Sequence, residues 1–172
     1  VAGNGGSASD SEHIVGELMK SFMFERKIQK KYADELVRLY GDEGVALSKK
    51  LEGTLCSIPL TSMPALSTAF INDVDPALTF AQMLYGYGRE GDCFLGISTS
   101  GNSKNILYAL QVAKAKGITT IGLTGEGGGK MKELCDITIQ VPEKETFMIQ
   151  ELHLPIYHCL CAMLEADFFE EK

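Results

Sequence analysis

The stretch DCFLGISTSGNSKNILYALQVAKAKGITTIGLTG, residues 92–125, decides the fold. It opens with a short apolar strand at 92–98 and passes through a loop of small polar residues into a helix that stops at Gly117. A second buried strand follows at 118–125. A strand, a helix and another strand in this order predict two parallel strands joined by a helical crossover.

The same alternation continues on both sides of this stretch. Downstream, a glycine-rich turn with a short helix at 126–135 leads into a third strand at 136–142. Upstream, a strand is predicted at 65–72 and a helix at 76–88, introduced by Pro76 at its first turn. The pattern predicts an α/β fold, a three-layer sandwich in which helices cover both faces of a parallel sheet.

The two ends of the chain are predicted to be mainly helical. Residues 9–51 show helical periodicity broken only near 41–44, and their charged stretch at 25–35 is typical of a solvated helix face rather than a binding patch. Residues 149–169 form a long apolar helix with a proline inside it. Residues 1–2 resemble the end of a buried strand whose earlier part is absent. We expect residues 1–172 to form one domain.

Composition excludes several classes of protein. A formal net charge of −7 argues against a nucleic-acid partner, which would normally require a basic surface. Five cysteines without a CxxC pair indicate neither a disulfide framework nor a thiolate zinc site, and they fit a reducing cytoplasm. No apolar run reaches the ~20 residues that span a bilayer, so no membrane association is expected.

The loop after the strand at 92–98 has the composition of a phosphate cradle. Because ligands of parallel sheets bind where strands end, and helix N-termini favour anions, its hydroxyls are well placed to hold a phosphate. The alternative is that these residues merely cap the helix, which would explain one or two of them. Neither the nucleotide P-loop pattern nor GxGxxG is present. The candidate residues are Ser98, Thr99, Ser100 and Ser103.

Two pairs of polar residues have spacing that suits a metal ion or acid–base chemistry. His13 and Glu17 lie four residues apart on one face of the first helix, although an exposed polar pair is the alternative. Gln150 and His158 lie eight apart on the last helix, roughly 12 Å along its axis, so both could reach one ion only by leaning toward each other or if the helix bends. Pro155 between them favours such a bend. Cys159 and Cys161 are expected to be core thiols rather than ligands.

Six stretches together resemble the sugar isomerase (SIS) fold and, within it, the phosphoheptose isomerases. The combination of a histidine and a glutamate after GNGGS with a glutamine and a histidine near the C-terminus is the most specific part. The stretches are GNGGSASDSEHIVGEL (3–18), IND (71–73), GREGDCFLGISTSGNSKNI (88–106), AKAKGITTIGLTGEGGGKM (113–131), CDITIQVP (135–142) and IQELHLPIYH (149–158).

The resemblance implies a role for each matching residue. In the family pattern, Glu17 is the base and His158 the complementary acid of an aldose–ketose isomerisation that passes through an enediol. One zinc ion per site would be held by His13, Glu17, Gln150 and His158. Contacts to a sugar phosphate are implied for Asn4, Gly5, Gly6, Ser7, Glu17, Asn72, Asp73, Ser98, Thr99, Ser100, Ser103 and Gln150.

The resemblance also implies a substrate and an assembly. The substrate would be sedoheptulose 7-phosphate, converted to D-glycero-D-manno-heptose 7-phosphate in the cytoplasm by a homotetramer. The alternatives are an isomerase of another phosphosugar, or a non-catalytic SIS protein that binds phosphosugars or a replication initiator. A non-catalytic protein would have no reason to keep His13, Glu17, Gln150 and His158 together.

This chain departs from the family pattern in three places. The segment between Glu17 and the next predicted strand is longer than usual, and Lys20 or Ser21 stands where the family commonly has an arginine. Phe147 replaces an acidic residue before the C-terminal glutamine. The family's N-terminal helix and first strand are not in this sequence. The first difference leads us to expect altered substrate selection.

Overall fold

The computed structural model describes residues 1–169 as two compact units, each formed from two parts of the chain. The first, which we call the sheet unit, contains residues 1–13 and 58–156. The second, the helical unit, contains residues 14–57 and the described residues 157–169. The first and last helices each contribute to both units.

From β1 onward, the described strands and helices alternate as in an α/β protein. Three strands are β1 Cys93–Ile97, β2 Thr119–Thr124 and β3 Ile137–Gln140. A 3₁₀ turn occupies Pro76–Leu78. The helices are α1 Gly6–Met19, α2 Lys30–Tyr40, α3 Asp42–Lys50, α4 Pro64–Asp73, α5 Thr79–Tyr87, α6 Lys104–Ala115, α7 Met131–Leu134 and α8 Thr146–Phe169.

The sheet is parallel, as the central stretch predicts. Its strands lie in the order β1-β2-β3, and α6 and α7 make the two crossovers. Ala2, fully buried, pairs in parallel with Gly96 on β1, in agreement with the expectation that this residue ends a strand. Helices flank the sheet, and the predicted fold class is confirmed.

The main apolar core of the sheet unit lies between the sheet and the helices α5 and α6. Residues fully removed from solvent include Phe94 on β1 and Ile106 and Leu110 on α6. Burial of each such side chain contributes roughly 1.5–3 kcal/mol. This packing fixes the carboxyl ends of the strands, from which the candidate phosphate loop projects.

The strand predicted at 65–72 is wrong, because these residues lie in α4. Pro64 occupies the first turn, where its missing N–H costs no hydrogen bond and its fixed φ favours a helix. The hydroxyl of Thr68 donates to the carbonyl of Pro64, at 2.8 Å, a bond that requires helical geometry. A short apolar run does not by itself distinguish a strand from a helix.

The helical region predicted at 9–51 is also interrupted more often than expected. The break at Gly41 is present, with φ of 56°, but a second break separates α1 from α2. There the backbone N–H groups of Phe22 and Met23 donate to the Glu165 carboxylate instead of to helix carbonyls. A tertiary contact therefore replaces helical hydrogen bonds, which local periodicity cannot predict.

Candidate functional site

The loop that follows β1 presents two hydroxyls to each other. The Oγ atoms of Ser98 and Ser103 lie 3.0 Å apart, and Ser103 immediately precedes α6. Ser103 occupies the capping position, yet its side chain makes no capping hydrogen bond. The capping alternative therefore does not explain Ser103, and the hydroxyl pair lies beside a helix N-terminus whose N–H groups favour an anion.

The other two hydroxyl residues of this loop have different surroundings. The Ser100 hydroxyl, on an exposed residue, accepts from the backbone N–H of Asn102 at 3.2 Å. Thr99 is half-buried, and its carbonyl accepts from the Gly125 N–H at 3.0 Å. The structure thus places all four predicted phosphate residues in one loop at the carboxyl edge of the sheet.

The glycine-rich turn after β2 packs against this loop. Gly101 has φ of 64°, and a Cβ added there would collide with the backbone of Gly128. The side-chain carbonyl of Asn102 accepts from the Lys130 N–H at 3.1 Å. The turn at 125–130 therefore lies against the hydroxyl loop, and only glycine fits where the two loops meet.

The GNGGS loop is joined to the phosphate loop by a pair of amides. Asn4 donates to Asn105 at 3.0 Å and accepts from it at 2.8 Å. Asn105 lies in the first turn of α6, directly after the hydroxyl loop. Gly5 has φ of 55°, which allows the chain to turn into α1. Ser7 is buried, and its carbonyl accepts from the hydroxyl of Ser11.

The start of α8 lies against the same glycine loop. A Cβ added to Gly6 would be 2.5 Å from Nε2 of Gln150, so the Gln150 amide occupies the space that a side chain would fill. The GNGGS loop and Gln150 are therefore in direct contact within the sheet unit. Such an approach is possible only where the loop residue has no Cβ.

A buried histidine that the sequence did not single out lies three residues after Gln150. Among the described residues, neither ring nitrogen of His153 makes a hydrogen bond of good geometry, and the side chain is fully buried. Burial lowers the pKa of His153, and the nearby backbone of Thr124 offsets this only in part. The ring is therefore held neutral beside the end of β2.

In the helical unit, Glu17 lies near the end of α1. Its carboxylate forms an ion pair with Lys20 at 2.7 Å, and the Glu17 side chain is 13% exposed. Burial, followed by the nearby charge of Glu17, raises the pKa of the Cys161 thiol on α8 to about 11.

His158 lies on α8 three residues before Cys161, in the same helical unit. Its ring packs against Phe22, with ring centroids 5.6 Å apart, and against Tyr157 at 4.9 Å in an edge-on arrangement. The two predicted catalytic residues thus belong to one compact unit.

The predicted Asn-Asp pair lies elsewhere in the sheet unit, at the end of α4. Asn72 donates to the Asp73 carboxylate at 2.8 Å, and both residues are exposed. The structure shows no direct hydrogen bond, within residues 1–169, that joins this pair to the phosphate loop. The sugar-binding role of the pair remains a prediction.

The four predicted zinc ligands are divided equally between the two units. His13 and Gln150 belong to the sheet unit, and Glu17 and His158 to the helical unit. Imidazole nitrogen and carboxylate oxygen are common zinc ligands, so the donor types suit the ion. Across the part of the chain that the structure describes, no three His, Cys, Asp or Glu side chains form a group that could hold a metal.

Besides His153, sequence reasoning missed three residues that shape this region. Asn105 could have been found, because it follows the hydroxyl loop by two residues and carries an amide. Phe22 carried no signal, and the expectation that 25–35 is a solvated helix face is wrong for Arg26, which is buried outside any helix. Both residues have partners on α8, more than 130 residues away. Of the two cysteines predicted to be core thiols, Cys161 is buried as expected, but the prediction for Cys159 is wrong because that residue is exposed.

Comparison with known proteins agrees with this geometry. The SIS domain family matches residues 65–164, more than half of the chain. A phosphoheptose isomerase from Aneurinibacillus thermoaerophilus is 43% identical over 172 residues, which cover 100% of this chain and 74% of that protein. The chain belongs to the phosphoheptose isomerases of the SIS domain family.

Two further phosphoheptose isomerases support this assignment. Phosphoheptose isomerase 2 from Campylobacter jejuni is 43% identical over 169 residues, 98% of this chain and 71% of the relative. The structure of the phosphoheptose isomerase from Neisseria gonorrhoeae superposes with a TM-score of 0.75 and 30% identity, covering 96% of this chain and 74% of the other.

Membership in this family gives the class of reaction. The protein is an aldose–ketose isomerase that acts on a sugar phosphate. No helix in the described range, residues 1–169, combines the length and apolar character that a membrane crossing requires.

Proposed function

We propose that the protein interconverts sedoheptulose 7-phosphate and D-glycero-D-manno-heptose 7-phosphate through an enediol. The relatives named phosphoheptose isomerase suggest a seven-carbon substrate. One structural observation carries the mechanism: Glu17 and His158 share the helical unit, where Arg26 donates both to the Glu17 carbonyl and to Glu165 on α8. An acid and a base are thereby available from α1 and α8.

The proposed chemistry requires a proton to move between C1 and C2 of the open-chain sugar. The Glu17 carboxylate removes the proton from the carbon next to the carbonyl and returns it to the other carbon. His158 donates a proton to the carbonyl oxygen and accepts one from the neighbouring hydroxyl, which balances the transfer. The same histidine can assist opening of the sugar ring.

The phosphate group would be held at the loop after β1. The hydroxyls of Ser98, Thr99, Ser100 and Ser103 and the free N–H groups of α6 supply donors, with no fixed cation. Asn4, Gly5, Gly6, Ser7, Asn72, Asp73 and Gln150 would contact the sugar. Anchoring the phosphate positions the distant reacting carbons, an effect that contributes several kcal/mol in well-oriented systems.

The proposal of a zinc ion rests only on the types of donor atom that the four predicted ligands carry. His13, Glu17, Gln150 and His158 would hold one ion per site, and such an ion would polarise the carbonyl as a Lewis acid when bound. The steps assigned above to Glu17 and His158 do not depend on it.

Assembly and location are further parts of the proposal. We propose a homotetramer in the cytoplasm, without a nucleic-acid partner. Large exposed apolar side chains along α8, among them Phe147 at 62% and Met163 at 63%, support self-association. The net charge of −7 disfavours contact with nucleic-acid phosphates.

Turnover of a panel of ketose phosphates in D2O tests the substrate and the enediol together. We expect the highest kcat/KM for sedoheptulose 7-phosphate, with deuterium from solvent appearing at the carbon next to the carbonyl. A higher kcat/KM for a five- or six-carbon ketose would assign another phosphosugar. Binding of phosphosugars without turnover, with zinc supplied, would instead indicate a non-catalytic protein.

A further inference from the structure

A buried ion pair joins the segment between α1 and α2 to α8 within the helical unit. Arg26 Nε lies 2.6 Å from Glu165 Oε1, and both side chains have no exposed surface. The Arg26 guanidinium also lies over the Phe169 ring, at 5.0 Å from its centroid. A fully buried pair costs desolvation and adds little net stability compared with apolar residues, so its presence calls for another explanation.

The arginine holds the last turn of the helix that carries Glu17. Arg26 Nη2 donates to the carbonyl of Glu17 and Nη1 to the carbonyl of Leu18, each at 2.9 Å. These carbonyls lie at the helix end, where they have no helical partner. The planar guanidinium of arginine can donate to both carbonyls through Nη1 and Nη2 while Nε donates to Glu165. Lysine, with a single ammonium group, cannot reproduce this arrangement.

The glutamate holds the segment that touches His158. Its two carboxylate oxygens accept from the backbone N–H groups of Phe22, at 2.8 Å, and Met23, at 2.6 Å. The ring of Phe22 packs on His158. Burial works to raise the pKa of Glu165, but these N–H groups and Arg26 outweigh it, so the pKa lies below its ordinary value.

We propose that Arg26 and Glu165 are positioning residues that set the placement of Glu17 against His158. One end of the pair fixes the backbone of Glu17, and the other fixes the segment whose Phe22 packs against His158. This inference rests on the proposed roles of Glu17 and His158 as base and acid. Neither positioning residue is required to touch the substrate.

Glu165→Gln tests the proposal, because it keeps the shape and removes the charge. We expect kcat per folded molecule to fall about tenfold or more, since small misplacements of reacting groups are costly, while KM changes less than about threefold. Glu35→Gln is the matched control: it makes the same chemical change in an exposed ion pair with Arg38 in the same unit, and we expect no change.

A spectroscopic measurement separates positioning from general stability. The chain has three histidines, so the ring signals in a carbon–proton correlation spectrum are few. In Glu165→Gln we expect the His158 signal to shift through the altered Phe22 ring, while that of His153, in the other unit, stays in place. A lower melting temperature with unchanged kcat and an unchanged His158 signal would overturn the proposal.

Arg26→Lys gives a second test if Glu165→Gln fails to fold. It keeps the charge beside Glu165 but loses the fork to the carbonyls of Glu17 and Leu18. We expect kcat to fall while the His158 signal remains, and an unchanged kcat would contradict the role of Arg26. Full activity in Glu17→Gln would refute the proposed catalytic role of Glu17, not the positioning role of Arg26 and Glu165. The His158 signal tests positioning separately, because it can be measured even if the protein shows no turnover.

Discussion

The amide of Gln150 lies against the α-carbon of Gly6, in the space that any side chain at position 6 would occupy. This contact joins the GNGGS loop to the start of α8 inside the sheet unit. The identity of a loop glycine is thus tied to the placement of a residue 144 positions away.

Gly6→Ala should displace Gln150 and reduce kcat/KM by about tenfold or more. Gly16→Ala is the control, because Gly16 lies within the same helix and a Cβ there would meet no atom within 4 Å. We expect this control to retain activity and to gain about 0.5–1 kcal/mol of stability. Equal kcat/KM for both variants would show that the contact with Gln150 has no functional role.

Ser103→Ala should weaken phosphate binding. Because its hydroxyl faces Ser98 rather than capping α6, we expect KM to rise about tenfold, the usual effect of losing one hydrogen bond to a charged group. Ser48→Ala is the comparison, since that hydroxyl donates to its own helix. Steady-state kinetics with the ketose phosphate measures both, and an unchanged KM in Ser103→Ala would argue against the phosphate assignment.

Gly101→Ala should destabilise the sheet unit by about 2–4 kcal/mol. The change combines a strained positive φ with overlap against the backbone of Gly128. Gly91→Ala separates the two effects, because Gly91 has φ of 88° but open space around it, and we expect a loss of about 1–2 kcal/mol. Urea unfolding measures the free energy of unfolding of both variants. Equal losses of stability would mean that contact between the loops at Gly101 and Gly128 does not stabilise the sheet unit.

The sequence predicted the parts of the site that depend on local pattern. The hydroxyl loop was identifiable because β1, its small polar residues and α6 follow directly along the chain. Arg26 was not, because its role depends on Glu165, 139 residues later. The helix at 64–73 was mistaken for a strand because a short apolar run suits either structure until its neighbours are known.

The buried neutral His153 should make stability depend on pH. Its folded pKa lies below the ordinary 6.5, so the unfolded chain binds the extra proton first and the free energy of unfolding falls as pH drops below 6.5. The pKa of Glu165 lies below 4.5, so its protonation changes the free energy of unfolding only at lower pH. Urea unfolding between about pH 7 and pH 5 should show this slope, and His153→Leu should flatten it. An equal slope in the variant would contradict the assignment.

Glu17→Gln tests the central claim most directly, because it removes the base and preserves the shape of the side chain. With sedoheptulose 7-phosphate, we predict that wild type turns over and that kcat of the variant falls by about a thousandfold, the contribution expected of a general base. The variant should still bind phosphosugar. Retention of most of the wild-type kcat by Glu17→Gln would contradict the account.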